Sequence, residues 1–440
     1  MIGFGQLERF MFTKHLKLFI SISELTKIIK SSMGLIHLKD QRKLLIVTIV
    51  QVCLTILDLI GVALIGVIGA LTVSGVSWRG PSNRITNLLS LIGLDNLELK
   101  NQVIIVGLIS TFFLTLKSIL SLYINRKILY FLSNISAEIS SDLLKKLLNS
   151  NLEVINKRSL QETIFATTNG VQLIFVGIVG QLMSVFTDLV MLTMLIFGLF
   201  IADVLTAFIT VILFLSVGVL LNRLMKKHFE NTQAQLSKIL INTNEKTSEV
   251  ILSYREIFSR NRQSHYALRI GQLRKLGANF SAEVAFLQNV SKYVIELILV
   301  IGVLLVIGVQ FATQSATHAI ATTAIFIAAA TRIAPSVLRI QQGFLTIRGN
   351  ASAANLTFDL IDELKRKSSR NELSKKLPDL KYEGFQPTIS LRNLHFTYPA
   401  NNHFKIEGLN LNIQTGQVLA LVGTSGSGKT TLVDLFLGIL

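Results

Sequence analysis

Long runs of apolar residues dominate the pattern of this chain. Six of them approach or exceed the roughly 20 residues that a helix needs to cross about 30 Å of hydrocarbon. They are Leu44–Val73, Val103–Ile124, Val171–Ile201, Val204–Leu221, Val294–Val309 and His318–Ala334. The third and fourth runs are separated only at Ala202 and Asp203, where a carboxylate indicates a tight hairpin outside the membrane. The pattern predicts six transmembrane helices, of which the last is rich in Ala and Thr and should face protein or water more than lipid.

The placement of charge orients these predicted helices. Half of the residues are hydrophobic and only 16% are charged, yet the formal net charge is +17. Eight Lys and Arg fall in the first 43 residues and twelve fall in residues 222–293, whereas the connections at Asp203 and Gln310–Ala316 hold none. Because basic loops stay inside, we expect both termini in the cytoplasm and the protein in a bacterial inner (plasma) membrane. Contact with anionic lipid also explains the basic balance, and nucleic acid is not an expected partner, since no soluble segment carries a basic stripe interleaved with aromatic residues.

The polar segments also have helical periodicity. Residues 1–43 contain Leu18, Ile22, Leu25 and Ile29 at helical spacing, which predicts an amphipathic helix that lies on the inner membrane face or packs on protein. About 46 residues separate the second and third runs, and about 72 separate the fourth and fifth. The simplest geometry extends the membrane helices tens of ångströms into the cytoplasm, at about 1.5 Å per residue.

A candidate nucleotide site lies near the C-terminal end of the sequence. Residues 423–430 fit the pattern G-x-x-x-x-G-K-[ST] in full. Glycines and a small serine let the backbone direct several N–H groups at phosphate oxygens. Lys429 would contact the β- and γ-phosphates and the Thr430 hydroxyl would bind the metal, so ATP and Mg²⁺ are the expected cofactors. The candidate binding residues here are Gly423, Thr424, Ser425, Gly426, Ser427, Gly428, Lys429, Thr430 and Thr431.

The surroundings of this loop predict a strand, a turn and a helix. Gln417–Val422 is expected to be a buried apolar strand, and Thr431–Leu437 is expected to open a helix whose dipole favours an anion at the loop. Upstream, Thr388–Phe396 alternates as an edge strand, and Phe404–Ile413 is expected to pair with it.

With these motifs the chain resembles the exporter-type ABC transporters, in which six spans with long cytoplasmic helical extensions precede an ATP-binding domain. The resemblance covers the whole chain, strongly in residues 388–440 and by architecture elsewhere. Within it, Tyr254–Arg260 and Arg332–Ser336 look like the branch that includes lipid-linked oligosaccharide flippases. The implied fold is a multi-domain membrane protein, with an all-α six-helix transmembrane domain followed by an incomplete α/β P-loop nucleotide-binding domain. The expected domains are a cytoplasmic N-terminal segment, 1–43, a transmembrane domain, 44–364, a basic linker, 365–387, and a partial ATP-binding domain, 388–440.

The resemblance implies further roles. Tyr398 would stack on adenine, and two transverse turns near Asn149–Gln161 and Ser253–Asn261 would act as coupling helices. A second half-transporter, identical or different, would be the partner, together with the lipid bilayer and an amphipathic, lipid-like substrate. The family's signature motif, catalytic glutamate and switch histidine are not among the 440 residues, so we expect no catalytic residue and no ATP hydrolysis from this polypeptide alone.

Asp58, Lys117, Asp188 and Glu296 fall inside apolar runs. A charge in a membrane span costs roughly 2.5–3.5 kcal/mol on insertion scales, so it is commonly paired or faces water. One hypothesis is that Lys117 contacts an anionic lipid or a glycan phosphate. The alternative is an ion pair with Asp58, or a side chain that extends along the helix to the membrane surface.

Other functional classes stay open. The chain could be a truncated, inactive remnant of a transporter, or a nucleotide-sensing membrane scaffold that does not transport. A secondary transporter with an accidental phosphate-loop match is disfavoured, because neither broken helices nor inverted repeats are evident.

Overall fold

The computed structural model of the chain describes residues 26–77, 98–150, 152–314, 316–368, 384, 386–398 and 401–438. In chain order its helices are α1 (Leu38–Ser77), α2 (Leu99–Leu148), α3 (Leu152–Asn156), α4 (Leu160–Thr167), α5 (Asn169–Gln172), a π-helical segment (Leu173–Val179), α6 (Gly180–Ala202), α7 (Val204–Leu252), α8 (Tyr254–Ser259), α9 (Gln263–Thr313), α10 (Ala316–Ala353), α11 (Asn355–Ser368) and α12 (Lys429–Phe436). Residues 26–33 are helical as well. Two strands, β1 (Ile389–Tyr398) and β2 (Asn401–Ile413), lie between α11 and α12.

Six helical stretches in the described part of the chain are long and apolar enough to cross a membrane. They are Leu38–Ile65, Lys100–Leu148, Leu160–Ile201, Val204–Leu252, Gln263–Thr313 and Thr322–Ala353. Each overlaps one of the six predicted runs, so the prediction of six membrane helices is confirmed. Helices α2, α7 and α9 have 50, 49 and 51 residues, which is about 75 Å each at 1.5 Å per residue. They therefore extend well beyond a hydrocarbon layer of about 30 Å.

An apolar core joins α6, α7, α9 and α10. Its buried residues include Leu195, Phe214, Ile295 and Ile333, one from each helix in that order. Helix α10 approaches its neighbours closely because it has small residues at the contacts. For example, a Cβ on Gly349 would lie 2.6 Å from the ring of Phe229 on α7. Such close backbone approach is typical of helix packing in membranes.

The helix break predicted at Ala202 and Asp203 is present. The backbone of Asp203 is extended, with φ −156° and ψ 117°, and its Oδ2 accepts a hydrogen bond from the backbone N–H of Thr206 at 2.8 Å. This N-cap satisfies one of the backbone donors that the first turn of α7 leaves unpaired. The connection between α6 and α7 is therefore a tight turn, as the isolated carboxylate indicated.

Strands β1 and β2 pair with each other as predicted, and their pairing is antiparallel. Ile389 pairs with Ile413 at its open end, and Tyr398 pairs with Asn401 beside the turn. Register irregularities interrupt the ladder between these ends.

The prediction of a buried strand at Gln417–Val422 is wrong. Its backbone is irregular, and Val418 and Val422 are each 94% exposed. A strand needs a neighbour that accepts and donates its backbone hydrogen bonds. In the described part of the chain only β1 and β2 form a sheet, so the apolar pattern of this segment has no partner strand to pair with.

Some predicted features lie outside the described residues. These are Leu18, Ile22 and Leu25 of the N-terminal amphipathic helix, residues 369–383 of the linker, and the side chain of Tyr398. Helix α11 continues to Ser368, past the position at which the linker was predicted to begin.

Candidate nucleotide-binding loop and intramembrane charges

The loop before α12 has a backbone that glycine makes possible. Gly426 and Gly428 have φ values of 84° and 91°, in the left-handed region that other residues rarely adopt. A Cβ on Gly423 would lie 2.7 Å from Oγ of Ser427. These three glycines therefore permit the tight turn that leads into α12 at Lys429.

The N-terminus of α12 is open. Gly428 is the N-cap residue and supplies no side-chain hydrogen bond. The first backbone N–H groups of a helix have no intrahelical partners and carry partial positive charge. Thr424, Ser425 and Thr430 are exposed around this end. An exposed loop at a helix N-terminus is the usual form of a phosphate-binding cradle.

Lys429 lies across the loop rather than pointing away from it. Its Nζ donates to the carbonyl oxygens of Gly423 and Thr424, both at 2.7 Å. Both acceptors are neutral, and a phosphate oxygen is a stronger acceptor for an ammonium group because it is charged. The residues present in the loop therefore fit a phosphate group. Tyr398, the predicted adenine contact, ends β1, and its side chain is not described.

A first cluster of charge lies between α1, α2 and α10. Asp58 of α1, whose side chain is only 1% exposed, forms an ion pair with Lys117 of α2. Nη2 of Arg332 on α10 lies 3.7 Å from Oδ1 of Asp58. The ion pair between Lys117 and Asp58, one of the alternatives drawn from the sequence, is therefore present. Glu296, in contrast, is exposed, and its Oε1 lies 4.0 Å from Nζ of Lys292, one helical turn away.

A second cluster joins α6 and α10. Arg339 binds Asp188 with two nitrogens: Nε donates to Oδ2 at 2.9 Å, and Nη2 donates to Oδ1 at 2.6 Å. Nη2 also lies 3.2 Å from the hydroxyl of Ser336. The carboxylate of Asp188 is 8% exposed and the guanidinium side chain is 47% exposed. Bidentate pairing of this kind is what makes a buried carboxylate tolerable.

A buried amide ties α9 to the hairpin between α6 and α7. Nε2 of Gln310 donates to Oδ2 of Asp203 at 2.7 Å and to Oγ1 of Thr206 at 2.8 Å. Gln310 is completely buried. The end of α9 is thus fixed to the start of α7 by hydrogen bonds as well as by apolar packing.

Sequence reasoning missed Arg332, Arg339 and Gln310 as members of these networks. The sixth apolar run was predicted to end at Ala334, which left Arg339 outside the membrane region. A usable signal was the spacing of the two arginines, because residues seven apart lie on the same face of a helix, two turns from each other.

Two short helices lie in the turns that were predicted at 149–161 and 253–261. They are α3 and α8. Just after α3, Arg158 Nη1 and Lys157 Nζ donate to the carboxylate of Glu363 on α11, at 2.8 and 3.1 Å. Burial acts to raise the pKa of Glu363, but these hydrogen bonds and the attraction of both cations outweigh it and hold the pKa below its ordinary value.

Comparison with known proteins shows which proteins this chain resembles. Residues 406–440 match the family model described as ABC transporter. The nisin transport ATP-binding protein NisT of Lactococcus lactis is 25% identical over 189 residues, which cover 42% of this chain and 30% of that protein. The ATP-dependent lipid A-core flippase of Pectobacterium atrosepticum is 23% identical over 217 residues, covering 48% and 35%. Multidrug resistance protein pgp-1 of Caenorhabditis elegans is 37% identical over 95 residues, covering 21% and 7%.

The chain is therefore similar to ABC transporters in residues 406–440 and in the parts aligned with these relatives, and six membrane-capable helices precede the matched region. The aligned regions span 35% or less of the three relatives. The names of these relatives mention nisin transport, a lipid A-core flippase and multidrug resistance, respectively.

Proposed function

We propose that this chain is half of an ATP-driven exporter that moves or flips an amphipathic, lipid-like or glycan-lipid molecule across a membrane. The observation that carries the proposal is the combination, in one chain, of six membrane-capable helices and a glycine-rich loop at a helix N-terminus. A second copy of the chain, or a related chain, would supply the other six helices.

In the proposed nucleotide site each group has a distinct task. The backbone N–H groups of the loop and the Lys429 ammonium would hold the phosphates of ATP. The hydroxyl of Thr430, in the first turn of α12, would hold Mg²⁺, which supplies charge neutralisation between the phosphates. Tyr398 would stack on the base.

Movement would reach the membrane helices through the short helices α3 and α8. Helix α8 lies between the long helices α7 and α9, and α3 lies between α2 and the helical stretch Leu160–Ile201. Because long helices behave as stiff levers, a push on α8 would be carried along α7 and α9 toward the membrane region, and a push on α3 would be carried along α2 and Leu160–Ile201. Their role as coupling helices is part of the proposal.

The charges on α10 support an anionic head group for the transported molecule. Two carboxylates, Asp58 and Asp188, face three cations, so one positive charge in the two clusters is unmatched. Arg332 is the least satisfied cation, since it makes no hydrogen bond to any described residue and its nearest carboxylate oxygen is 3.7 Å away. A phosphate would satisfy it, because guanidinium donors match phosphate oxygens well.

Nucleotide binding is tested with Lys429→Ala. Binding of a fluorescent ATP analogue with Mg²⁺ to the purified chain should weaken at least about tenfold, because the variant loses a charge-assisted contact to phosphate. Lys405→Ala, which removes an exposed lysine of β2, should leave binding unchanged. Equal affinity in the wild type and Lys429→Ala would refute the nucleotide site.

The head-group proposal is tested separately with Arg332→Gln. A phosphate-headed lipid should raise the thermal unfolding temperature of the wild-type chain in detergent, and the increase should be much smaller in the variant. A zwitterionic lipid should stabilise both proteins equally. If the variant responds to the anionic lipid as the wild type does, the cation is structural only.

A further inference from the structure

A long, narrow cavity lies between α6, α7 and α10. Its volume is about 300 Å³, and apolar side chains such as Leu192, Phe214 and Val337 line most of it. Along α7 it runs from Thr210 to Asn222, a distance of about 18 Å at 1.5 Å per residue. This volume, spread over that length, suits one extended hydrocarbon chain better than a wide ring system.

The cavity has a polar end. Asn222 and Gln341 line it, and Gln341 is only 4% exposed. Neither amide atom of Gln341, nor Oδ1 of Asn222, has a hydrogen-bond partner among the described residues. Buried polar groups are nearly always paired in native structures. Unpaired amides in a cavity wall therefore indicate that something else supplies their hydrogen bonds.

The two amides lie toward the same end of the cavity. Helix α7 begins at Val204, directly after Asp203, which Gln310 contacts near the end of α9. Helix α10 begins six residues after Gln310, at Ala316. Helices α7 and α10 therefore start on the same side of the bundle and run in the same direction. Asn222 and Gln341 are both near the C-terminal limit of the lining on their helices. The polar lining residue toward the opposite end is Thr210, whose hydroxyl already donates to the carbonyl oxygen of Thr206.

The lining is also uncharged. No Asp, Glu, Lys, Arg or His is among the described residues that form the cavity. Arg332 and Arg339 do not line it. An ionised head group would be buried there without a counter-charge, which is costly. The chemistry favours a neutral head that both donates and accepts hydrogen bonds.

We propose that this cavity binds a neutral, single-chain amphipath from the membrane, with a hydrocarbon chain in the apolar part and a hydroxyl or amide head at Asn222 and Gln341. A hydroxyl would donate to Oδ1 of Asn222 and accept from Nε2 of Gln341. This site differs from the two charge clusters, for which an anionic head group is proposed, because its ligand is neutral, and it does not require nucleotide. This proposal can therefore be tested independently of the proposed export function.

The test uses a long-chain alcohol that carries a photoreactive diazirine in its chain. The purified full chain is placed in phosphatidylcholine nanodiscs without nucleotide, irradiated and digested. The labelled peptides should come from α6, α7 and α10. An unlabelled alcohol of the same length should compete, and the corresponding alkane should compete much less. Labelling spread evenly over lipid-facing peptides, or equal competition by alkane and alcohol, would overturn the proposal.

Two variants and a control sharpen the result. Gly218 lines the cavity and a Cβ there would meet nothing within 4 Å, so Gly218→Leu should fill the slot and lower labelling at least about tenfold. Gly198→Leu is the matched control, because Gly198 is equally open but lies outside the lining, and it should label like the wild type. Gln341→Leu should keep labelling but lose the preference for alcohol over alkane. Unchanged labelling in Gly218→Leu, or an unchanged alcohol preference in Gln341→Leu, would contradict the assignment.

Discussion

Asp188 illustrates how single residues decide whether charge is tolerated between these helices. Its carboxylate is nearly buried and accepts hydrogen bonds from two nitrogens of Arg339. Asp58 is also buried, but Lys117 contacts only one of its carboxylate oxygens, and Arg332 lies 3.7 Å from the other. The side-chain amide of Gln341, which has no hydrogen-bond partner among the described residues, is at the other extreme. In a low-dielectric environment, the free-energy cost of burying a polar or charged side chain thus depends on the partners that it contacts.

At this scale, Arg339→Ala should destabilise the protein strongly. The variant leaves the buried carboxylate of Asp188 without its bidentate partner, and breaking such a pair typically costs about 3–5 kcal/mol. Reversible unfolding in mixed micelles measures the loss. Asp188→Asn in the same background should recover part of it, because the uncompensated charge is then removed.

The control for this experiment is Lys292→Ala. Its partner Glu296 is 60% exposed and 4.0 Å away, so the change should cost no more than about 0.5 kcal/mol. A similar loss in Arg339→Ala and Lys292→Ala would mean that the Asp188 pair contributes no more than a surface contact.

At the scale of elements, two kinds of contact fix the helices. Within the bundle, α10 packs through small residues and the apolar core shared with α6, α7 and α9. Between the turn after α3 and helix α11, the contact is ionic, through Glu363. The first kind is insensitive to pH, whereas the second depends on the charge of one carboxylate.

The contact at Glu363 should therefore weaken in acid. Because the folded-state pKa lies below the ordinary value of 4.5, the stabilisation is fully present above that value and is lost as pH falls through the lowered pKa. Hydrogen exchange of residues 152–159, corrected for intrinsic rates, should show protection at pH 6 that declines below about pH 4.

Glu363→Gln is the matched variant for this measurement. It should have weak protection of residues 152–159 at every pH, with no decline in acid. Protection in the variant that matches the wild type at pH 6 would show that Glu363 does not hold this turn.

At the scale of the whole molecule, an even number of membrane crossings determines which segments lie on the same side of the membrane. Six membrane-capable helices separate the N-terminal region from the glycine-rich loop at 423–430, so both should lie on the same side. The turn at α8 and the connection after α9 should lie on opposite sides, because only α9 separates them.

This arrangement is testable by cysteine labelling. In a Cys53→Ser background, which removes the single native cysteine, Ser259→Cys and Thr313→Cys each introduce one exposed thiol. An impermeant maleimide added to sealed cells should label Thr313→Cys only, and added to inverted vesicles it should label Ser259→Cys only. Labelling of both from one side would contradict the topology.

The sequence by itself determined the features that depend on local composition. The length of the apolar runs was sufficient to predict the six membrane helices, and the residue types in 423–430 were sufficient to predict a glycine-rich turn at a helix N-terminus. The isolated carboxylate at Asp203 was sufficient to place the break between α6 and α7. Each of these follows from neighbours in the chain.

Only the tertiary structure decided which distant residues meet. The pairing of Asp188 with Arg339, 151 positions away, and the cavity that contains Asn222 and Gln341 arise from the packing of separate helices. The absence of a strand at Gln417–Val422 has the same origin, because a strand forms only where another strand supplies its hydrogen bonds. Periodicity along one helix specifies which face is apolar, but the partner on another helix depends on register and crossing, which the linear pattern does not encode.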